Sequence, residues 1–193
     1  MEYAEKGDLE QFLKGRKSKG LLSEKKVWEI FFQVVAGLHE LHSKNILHRD
    51  LKSANIFLSK KHVKIGDLNV AKESINGLLY TQTGTPFFAS PEVWRDEPYD
   101  FKSDIWSLGV ILYNLLTLKL PFRSKNMQTL SQQVLKGEIP EIPECFSSSA
   151  KRMINVLLTK DPSKRPNTGQ LMKILTNSKV EQKLKHSHSR PKL

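Results

Sequence analysis

One segment of this sequence is apolar on nearly every side of the helix it would form, which constrains the fold more than any other feature. Its longest apolar stretch runs from Ile105 to Leu120. This stretch is too short to span a bilayer, and it carries Asn114 and Lys119. A helix without a polar face has to be surrounded by protein. We therefore expect a buried central helix from about Lys102 to Leu118, stopped by Pro121.

Segments that could surround this central helix are spread along the chain. The strongest is a helix from about Ser23, a suitable N-cap, to His42, with apolar residues at helical spacing. Two short strand-like runs, Ile56–Leu58 and Val63–Ile65, follow and pair through a turn at Ser59–His62. Further helices are predicted at about 126–136, 148–159 and 168–175. The fold class is therefore mainly α, within the α+β family, with a short β-hairpin.

Composition and charge exclude several classes of protein. The single cysteine, Cys145, excludes a disulfide framework and a cysteine-based zinc site, and it fits a reducing, intracellular and cytoplasmic setting. The first six residues lack the apolar region of a signal peptide. The net charge of +11 would suit a nucleic acid, an anionic membrane or a phosphate-handling surface, but charge runs usually mean a solvated surface. Without a nucleic-acid-binding motif, we expect no specific nucleic-acid partner and no membrane span.

A polar loop between the first long helix and the hairpin carries the chemistry. It reads His48-Arg49-Asp50-Leu51-Lys52-Ser53-Ala54-Asn55. His-Arg-Asp with an asparagine five positions after the aspartate resembles the catalytic loop of protein kinases. Phosphoryl transfer needs positioning and charge neutralisation more than covalent chemistry. Asp50 would accept the proton of the substrate hydroxyl, Asn55 would give an oxygen to Mg²⁺, and Lys52 would offset charge developing on the transferred group.

A second candidate magnesium ligand, Asp67, lies twelve positions after Asn55, at the end of a strand-like run. It stands where kinases carry the aspartate of Asp-Phe-Gly, which holds Mg²⁺. Leu68 replaces the phenylalanine and keeps an apolar plug. Asn69 replaces the glycine and is the non-glycine residue that best tolerates left-handed backbone angles. The departure therefore preserves the metal ligand.

Three later features follow in the order that kinases show. The aperiodic stretch from Asp67 to Glu92 ends in Ser-Pro-Glu, where kinases close the activation segment with Ala-Pro-Glu. Ser103–Gly109 resembles the start of the buried kinase helix, whose aspartate hydrogen-bonds the catalytic loop. Arg165 matches a late kinase arginine that pairs with Glu92. From Met1 to about Leu175 the chain resembles the C-terminal lobe of NIMA-related protein kinases, which also share its Asp-Leu-Asn variant.

This resemblance implies a serine/threonine protein kinase that transfers the γ-phosphoryl of MgATP to Ser or Thr hydroxyls of protein substrates. ATP and Mg²⁺ would be its cofactors. Thr85 would contact Asp50 and Lys52, and Thr81 and Thr83 are candidate phosphorylation sites whose phosphate Arg49 could pair with. The family also suggests the centrosome, the cilium or the nucleus as locations.

The start of the chain resembles the hinge between the two kinase lobes. The backbone of Glu2 and Ala4 would face the adenine edge, Asp8 would lie near the ribose, and Phe57 would pack beneath the adenine ring. Taken alone, Phe57 is better explained as core, and its place just after Asn55 is what favours the functional role.

The Gly-rich loop and strand lysine of a kinase small lobe do not occur in the sequence. We therefore expect residues 1–176 to form a partial kinase domain of hinge and C-terminal lobe, and 177–193 a basic, disordered tail. Two hypotheses stay open. The chain is either a fragment of an active kinase or a catalytically silent short isoform that acts as a kinase-like interaction module. Residues 1–193 alone would bind nucleotide very weakly.

Overall fold

A computed structural model describes residues 7–60, 62–67 and 86–177. It is mainly helical and contains one two-stranded antiparallel sheet, which confirms the predicted fold class. Two 3₁₀ turns occupy Ser53–Asn55 and Pro162–Lys164. The elements, in chain order, are α1 (Leu9–Arg16), α2 (Glu24–Ser43), β1 (Ile56–Leu58), β2 (Val63–Ile65), α3 (Pro91–Trp94), α4 (Phe101–Thr117), α5 (Met127–Lys136), α6 (Ser148–Leu157) and α7 (168–177).

Helix α4 is the buried central helix that the sequence predicts. Every residue from Ser103 to Thr117 is buried, and α4 packs against both α2 and α6. Gly109 permits the close approach of α6, because a Cβ atom there would lie 2.7 Å from the Leu158 side chain. A polar residue anywhere on this helix therefore has to find a partner inside the domain.

Both ends of α4 are set by local hydrogen bonding. Asp100 caps the N-terminus and forms a capping box with Ser103. At the other end Leu118 adopts a left-handed backbone with φ 56°, and the Thr117 hydroxyl donates to the Lys119 carbonyl. The helix thus ends within one residue of the predicted Leu118, and the chain turns at Leu118, before it reaches Pro121.

Helix α2 and the hairpin lie where the sequence places them. Ser23 caps α2 by accepting from the amide of Lys26, and the strands pair in register from Ile56–Ile65 to Leu58–Val63. The Gln33 side chain of α2 accepts a hydrogen bond from the amide of Val63 at 3.0 Å. The hairpin is therefore fastened to α2, and the polar loop between them has two fixed ends.

Helix α1 was not predicted from the sequence. Only Leu9 and Leu13 are buried within it, and most of its other residues are polar or charged. Two apolar positions are too few to produce a recognisable helical period. Its cap is clear: Asp8 accepts a hydrogen bond from the amide of Gln11 at 2.8 Å.

The structure also bears on two predictions about the ends and the environment of the chain. In the ranges given above, no helix is both long and apolar enough to cross a membrane. The predicted disorder of 177–193 stays a prediction, because residues 178–193 lie outside the described part.

Candidate active site

A buried carboxylate on α4 holds the first half of the polar loop. Asp104 accepts hydrogen bonds from the amides of His48 and Arg49, at 3.0 and 3.2 Å. It also contacts His42 Nε2 at 2.8 Å and accepts from the Tyr99 hydroxyl at 2.6 Å. Burial, followed by the charge of Asp104, raises the pKa of Tyr99, so the hydroxyl stays protonated and continues to donate. The predicted contact between Asp104 and the loop backbone is confirmed.

The loop is also tied to the end of the hairpin. The amide of Asp50 donates to His48 Nδ1 at 3.3 Å, so this nitrogen is an acceptor and the ring proton lies on Nε2. His48 Nε2 then donates to the Gly66 carbonyl at 3.2 Å. His48 is buried, and both ring nitrogens are engaged, so its side chain ties the loop to the end of the hairpin.

Three side chains that the sequence singled out meet at one carboxylate oxygen. Lys52 Nζ lies 2.7 Å from Asp50 Oδ2, and Asn55 Nδ2 donates to the same oxygen at 3.2 Å and to the Asp50 carbonyl at 2.8 Å. The side chains of Asp50 and Lys52 keep 26% and 32% of their exposure. Within the described part of the chain Asp50 Oδ1 accepts no hydrogen bond, so it is available to a substrate hydroxyl.

Asn55 and Asp67 provide oxygen atoms suited to a divalent cation. Because Nδ2 of Asn55 is engaged by Asp50, its Oδ1 is the atom left for a metal. The amide of Gly66 donates to the Asn55 carbonyl at 2.9 Å, which brings Asp67, the next residue, close to Asn55. Asp67 is exposed and has a left-handed backbone, with φ 57°.

This donor set fits Mg²⁺ shared with phosphate groups. Mg²⁺ prefers oxygen and is usually held by one or two protein ligands together with phosphates and water. Residues 7–60, 62–67 and 86–177 contain no group of three or more His, Cys, Asp or Glu side chains that could hold a metal alone. Asn55 and Asp67 would therefore complete a magnesium site only together with a nucleotide.

The candidate nucleotide residues Asp8 and Phe57 lie next to each other. Their backbones form an isolated antiparallel bridge, and the amide of Leu58 donates to the Gly7 carbonyl at 2.9 Å. The Phe57 ring packs so close to Gly66 that a Cβ there would lie 2.7 Å from it. Phe57 is thus joined to the metal side of the site, while one oxygen of Asp8 is used to cap α1.

A second contact with α4, which was not predicted from the sequence, holds the other half of the loop. The Ser53 hydroxyl donates to Asn114 Oδ1 at 3.1 Å, and Asn114 Nδ2 donates to the Lys119 carbonyl at 3.1 Å. An asparagine within an apolar helix has to find a buried partner, so Asn114 was the feature that could have indicated this contact.

Glu92, at the end of the segment leading to α3, forms a closed ion pair with Arg165. The two Glu92 oxygens accept from Arg165 Nη1 and Nη2 at 2.7 and 2.8 Å. The remaining Arg165 donors bond to the carbonyls of Thr159, Lys160 and Lys102. All five N–H groups of the guanidinium are therefore satisfied. The predicted pair is confirmed.

The surroundings of Glu92 keep it ionised. Burial acts to raise its pKa, but the hydrogen bonds and charge of Arg165, and the Ser103 hydroxyl at 2.7 Å, outweigh burial and lower it. Because both partners are almost fully buried, the pair has to stay intact for either charge to be tolerated.

Several predicted site residues lie outside the described residues. These are Glu2, Ala4, Thr81, Thr83 and Thr85. The Leu68 and Asn69 positions of the Asp-Leu-Asn variant are outside them as well. The roles predicted for these residues remain predictions.

Comparisons with known proteins agree with this geometry. The family model described as "Protein kinase domain" matches residues 1–175. The chain is 38% identical over 176 residues to the serine/threonine-protein kinase Nek4 of Mus musculus, covering 90% of this chain and 22% of that protein. It is 40% identical over 177 residues to Nek5 of Mus musculus, covering 90% and 28%. For Nek3 of the same species the identity is 38% over 175 residues, covering 89% and 34%. The chain thus spans about a third or less of the length of these relatives.

Proposed function

The chain belongs to the protein kinase family, and on that premise we propose that it is the catalytic region of a serine/threonine protein kinase. It would transfer the γ-phosphoryl of MgATP to Ser or Thr hydroxyls of protein substrates. The observation that carries the proposal is the joining of Asp50, Lys52 and Asn55 at one carboxylate oxygen, with the other oxygen left open. The similarity to Nek-type relatives supports the same activity.

In the transfer step, the substrate hydroxyl oxygen forms a bond to the γ-phosphorus while the bond from that phosphorus to the leaving ADP oxygen breaks. The hydroxyl proton passes to Asp50, whose Oδ1 is the free acceptor. Lys52, held 2.7 Å from Asp50 Oδ2, offsets negative charge on the group in transit. Asp104 keeps the loop backbone fixed through the amides of His48 and Arg49, so these groups need little reorganisation during the reaction.

Asn55 and Asp67 would hold the metal. Bound Mg²⁺ supplies positive charge that neutralises the phosphate oxygens. Asn55 would contribute Oδ1, because its amide nitrogen donates to Asp50. Asp67 follows Gly66, whose amide donates to the Asn55 carbonyl, so the Asp67 carboxylate would lie near Asn55.

The remaining roles belong to the same proposal. Phe57 and Asp8 would line the adenosine side, and the backbone of Glu2 and Ala4 would bond the adenine edge. Thr85 would contact Asp50 and Lys52, and phosphorylation at Thr81 or Thr83 would provide a phosphate for Arg49. Arg49 is exposed, which supports this last role. The free, exposed Cys145 supports an intracellular location.

The experiment is a phosphotransfer assay on the protein at its natural length, isolated from the cells that make it. We expect label from γ-labelled ATP to enter a Ser- and Thr-containing protein substrate only when Mg²⁺ is present. The matched control is Asp50→Asn, which keeps the shape of the side chain but removes the proton acceptor. We expect a loss of about 10²–10⁴-fold, the usual contribution of a general base. Equal incorporation by both forms would contradict the proposal and leave the silent interaction module in its place.

A further inference from the structure

A groove formed by α6, the Pro162–Lys164 turn and α7 has no role in the proposed reaction. Its volume is about 620 Å³, and it is open to solvent along its length. Val156 of α6 and Ile174 of α7 both line it, with exposures of 41% and 48%. They are two of the four large apolar side chains found exposed in the described ranges. An apolar strip of this kind marks an interaction surface when the charge around it is also organised.

The charge around this strip has a single sign. Lys102, Lys164, Arg165 and Lys173 line the groove, and none of the lining residues in the described structure carries a carboxylate. Arg165 is neutralised by Glu92, and Lys102 Nζ donates to the Arg165 carbonyl. Lys164 has only a long contact with Asp161, at 3.8 Å between exposed side chains, which is worth little. Lys164 and Lys173 are therefore the cations best able to meet an incoming anion.

The shape restricts the type of occupant. An enclosed cavity of this size would suit a small molecule, but an open groove buries too little of one. A flat bilayer cannot enter a concave surface whose apolar residues lie between lysines. An extended peptide can place apolar side chains against Val156 and Ile174 while its charged groups reach the lysines.

The last residues of this chain do not fit as the occupant. Residues 178–193 contain five Lys and Arg residues and one Glu, so their charge has the same sign as the groove. Like charges brought together in this way oppose binding. The charge of the groove therefore favours an acidic occupant, and we take a partner protein as its source.

We propose that this basic groove, defined by Val156, Lys164, Lys173 and Ile174, docks an acidic peptide segment of a partner protein in which carboxylates alternate with branched apolar residues. The groove wall contains Lys102 and Arg165, and Arg165 pairs with Glu92 and also donates to the Lys102 carbonyl. The docked peptide would therefore lie against Arg165, next to its ion pair with Glu92. Docking does not depend on phosphoryl transfer and can be tested without it.

The probe is a short fluorescein-labelled peptide of alternating Glu and Ile, titrated with the full-length protein while fluorescence anisotropy is followed. We expect saturable binding that weakens as salt rises, and weaker binding of a peptide with Gln in place of Glu. The double variant Lys164→Glu with Lys173→Glu should raise Kd by at least tenfold, or about 1.4 kcal/mol. The uncharged double variant Val156→Ser with Ile174→Ser should also raise Kd.

A matched control separates the groove from the overall charge. Lys17→Glu with Lys19→Glu reverses two exposed lysines next to α1, and each pair of reversals takes the net charge from +11 to +7. We expect the control to bind the peptide as the unchanged protein does. Equal losses of affinity in the groove variant (Lys164→Glu with Lys173→Glu) and in this control would overturn the proposal, since binding would then follow net charge alone. Stronger binding to phosphatidylserine-containing vesicles or to polyuridine than to the peptide would also overturn it.

Discussion

The catalytic loop and the Glu92–Arg165 pair are both built from charged side chains, but they use charge in opposite ways. Arg165 has all five donors satisfied and is buried with its partner, so the pair can accept nothing further. In the loop, Asp50 keeps one oxygen free, Asp67 is exposed, and Arg49 and Asp67 both have left-handed backbones. Unused bonding capacity is found where the proposed substrate would bind. Complete pairing collects where only position matters.

The largest expected effect is on stability, and it tests the fully paired Glu92–Arg165 ion pair. Arg165→Met should lower the free energy of unfolding by about 3–5 kcal/mol, because it leaves the Glu92 carboxylate buried without a charged partner. Denaturant unfolding measures this change. Lys164→Met, which removes an exposed charge from the neighbouring residue, is the control and should change stability by about 0.5 kcal/mol or less. A small effect of Arg165→Met would mean that the pair is not closed in solution.

The second effect is on phosphotransfer, and it tests the exposed carboxylate of Asp67. Asp67→Asn should lower phosphotransfer by about 10²–10³-fold, since one preorganised charge is lost, and should leave stability unchanged. Asn tolerates the left-handed backbone that Asp67 adopts, so the fold has no reason to shift. Asp96→Asn is the control, because Asp96 is also exposed and has φ 61°. If both variants keep full activity, Asp67 does not act as a metal ligand.

Asp104 shares a property with each of the two regions: it is buried like Glu92, and it holds the catalytic loop. Asp104→Asn places an NH₂ group where the backbone amides of the loop or the Tyr99 hydroxyl donate, so one or more hydrogen bonds become repulsive. We expect a loss of about 1–3 kcal/mol in stability together with a fall in phosphotransfer. Asp100→Asn is the control, since Asn caps a helix as well as Asp does. A loss of stability without any loss of activity would show that the anchor does not position the loop.

The smallest effect concerns Lys160, which lies beside the closed pair and over the Trp106 ring. Burial, and then the charge of Arg165, lowers its pKa to about 8. The unfolded lysine holds its proton to a higher pH, so the unfolded state binds more protons between about pH 8 and the ordinary lysine range. Stability should therefore rise with pH across this window, by about 1 kcal/mol or less because the group is partly solvated.

The measurement for Lys160 is a set of unfolding curves from pH 7 to about pH 10 for the protein and for Lys160→Met. Subtracting the two series removes the contributions of Tyr99 and Tyr113, whose raised pKa values act in the opposite direction at high pH. Parallel curves would mean that the pKa of Lys160 is not lowered in the folded protein.

The elements with strong local patterns could be predicted from the sequence. Helix α2, the two strands and the start of α6 match their predicted positions because caps and apolar spacing define them. Helix α1 was missed, since Leu9 and Leu13 alone do not make a pattern. The end of α4 at about Leu118 was predicted, but the left-handed conformation of Leu118 was not, because a non-glycine residue gives no sequence signal for it.

The candidate site divides in the same way. The residue types and spacing from His48 to Asn55 predicted which side chains would gather, and the structure brings Asp50, Lys52 and Asn55 together. The sequence could not predict which oxygen of Asp50 stays free, or that Ser53 bonds to Asn114. These facts depend on how distant segments pack, and no local spacing encodes them.

The catalytic loop is attached to α4 at two points, so this helix sets the distance between the two ends of the loop. Asp104 holds the beginning of the loop and Asn114 holds its end, and ten helical residues separate these two points by about 15 Å. The distance between the two attached ends of the loop therefore depends on α4 being straight between Asp104 and Asn114. Gly109 lies midway, where the Leu157 and Leu158 side chains leave no room for a Cβ atom. A larger residue at position 109 would bend α4 and shift the loop residues, including Asp50, without contacting any of them.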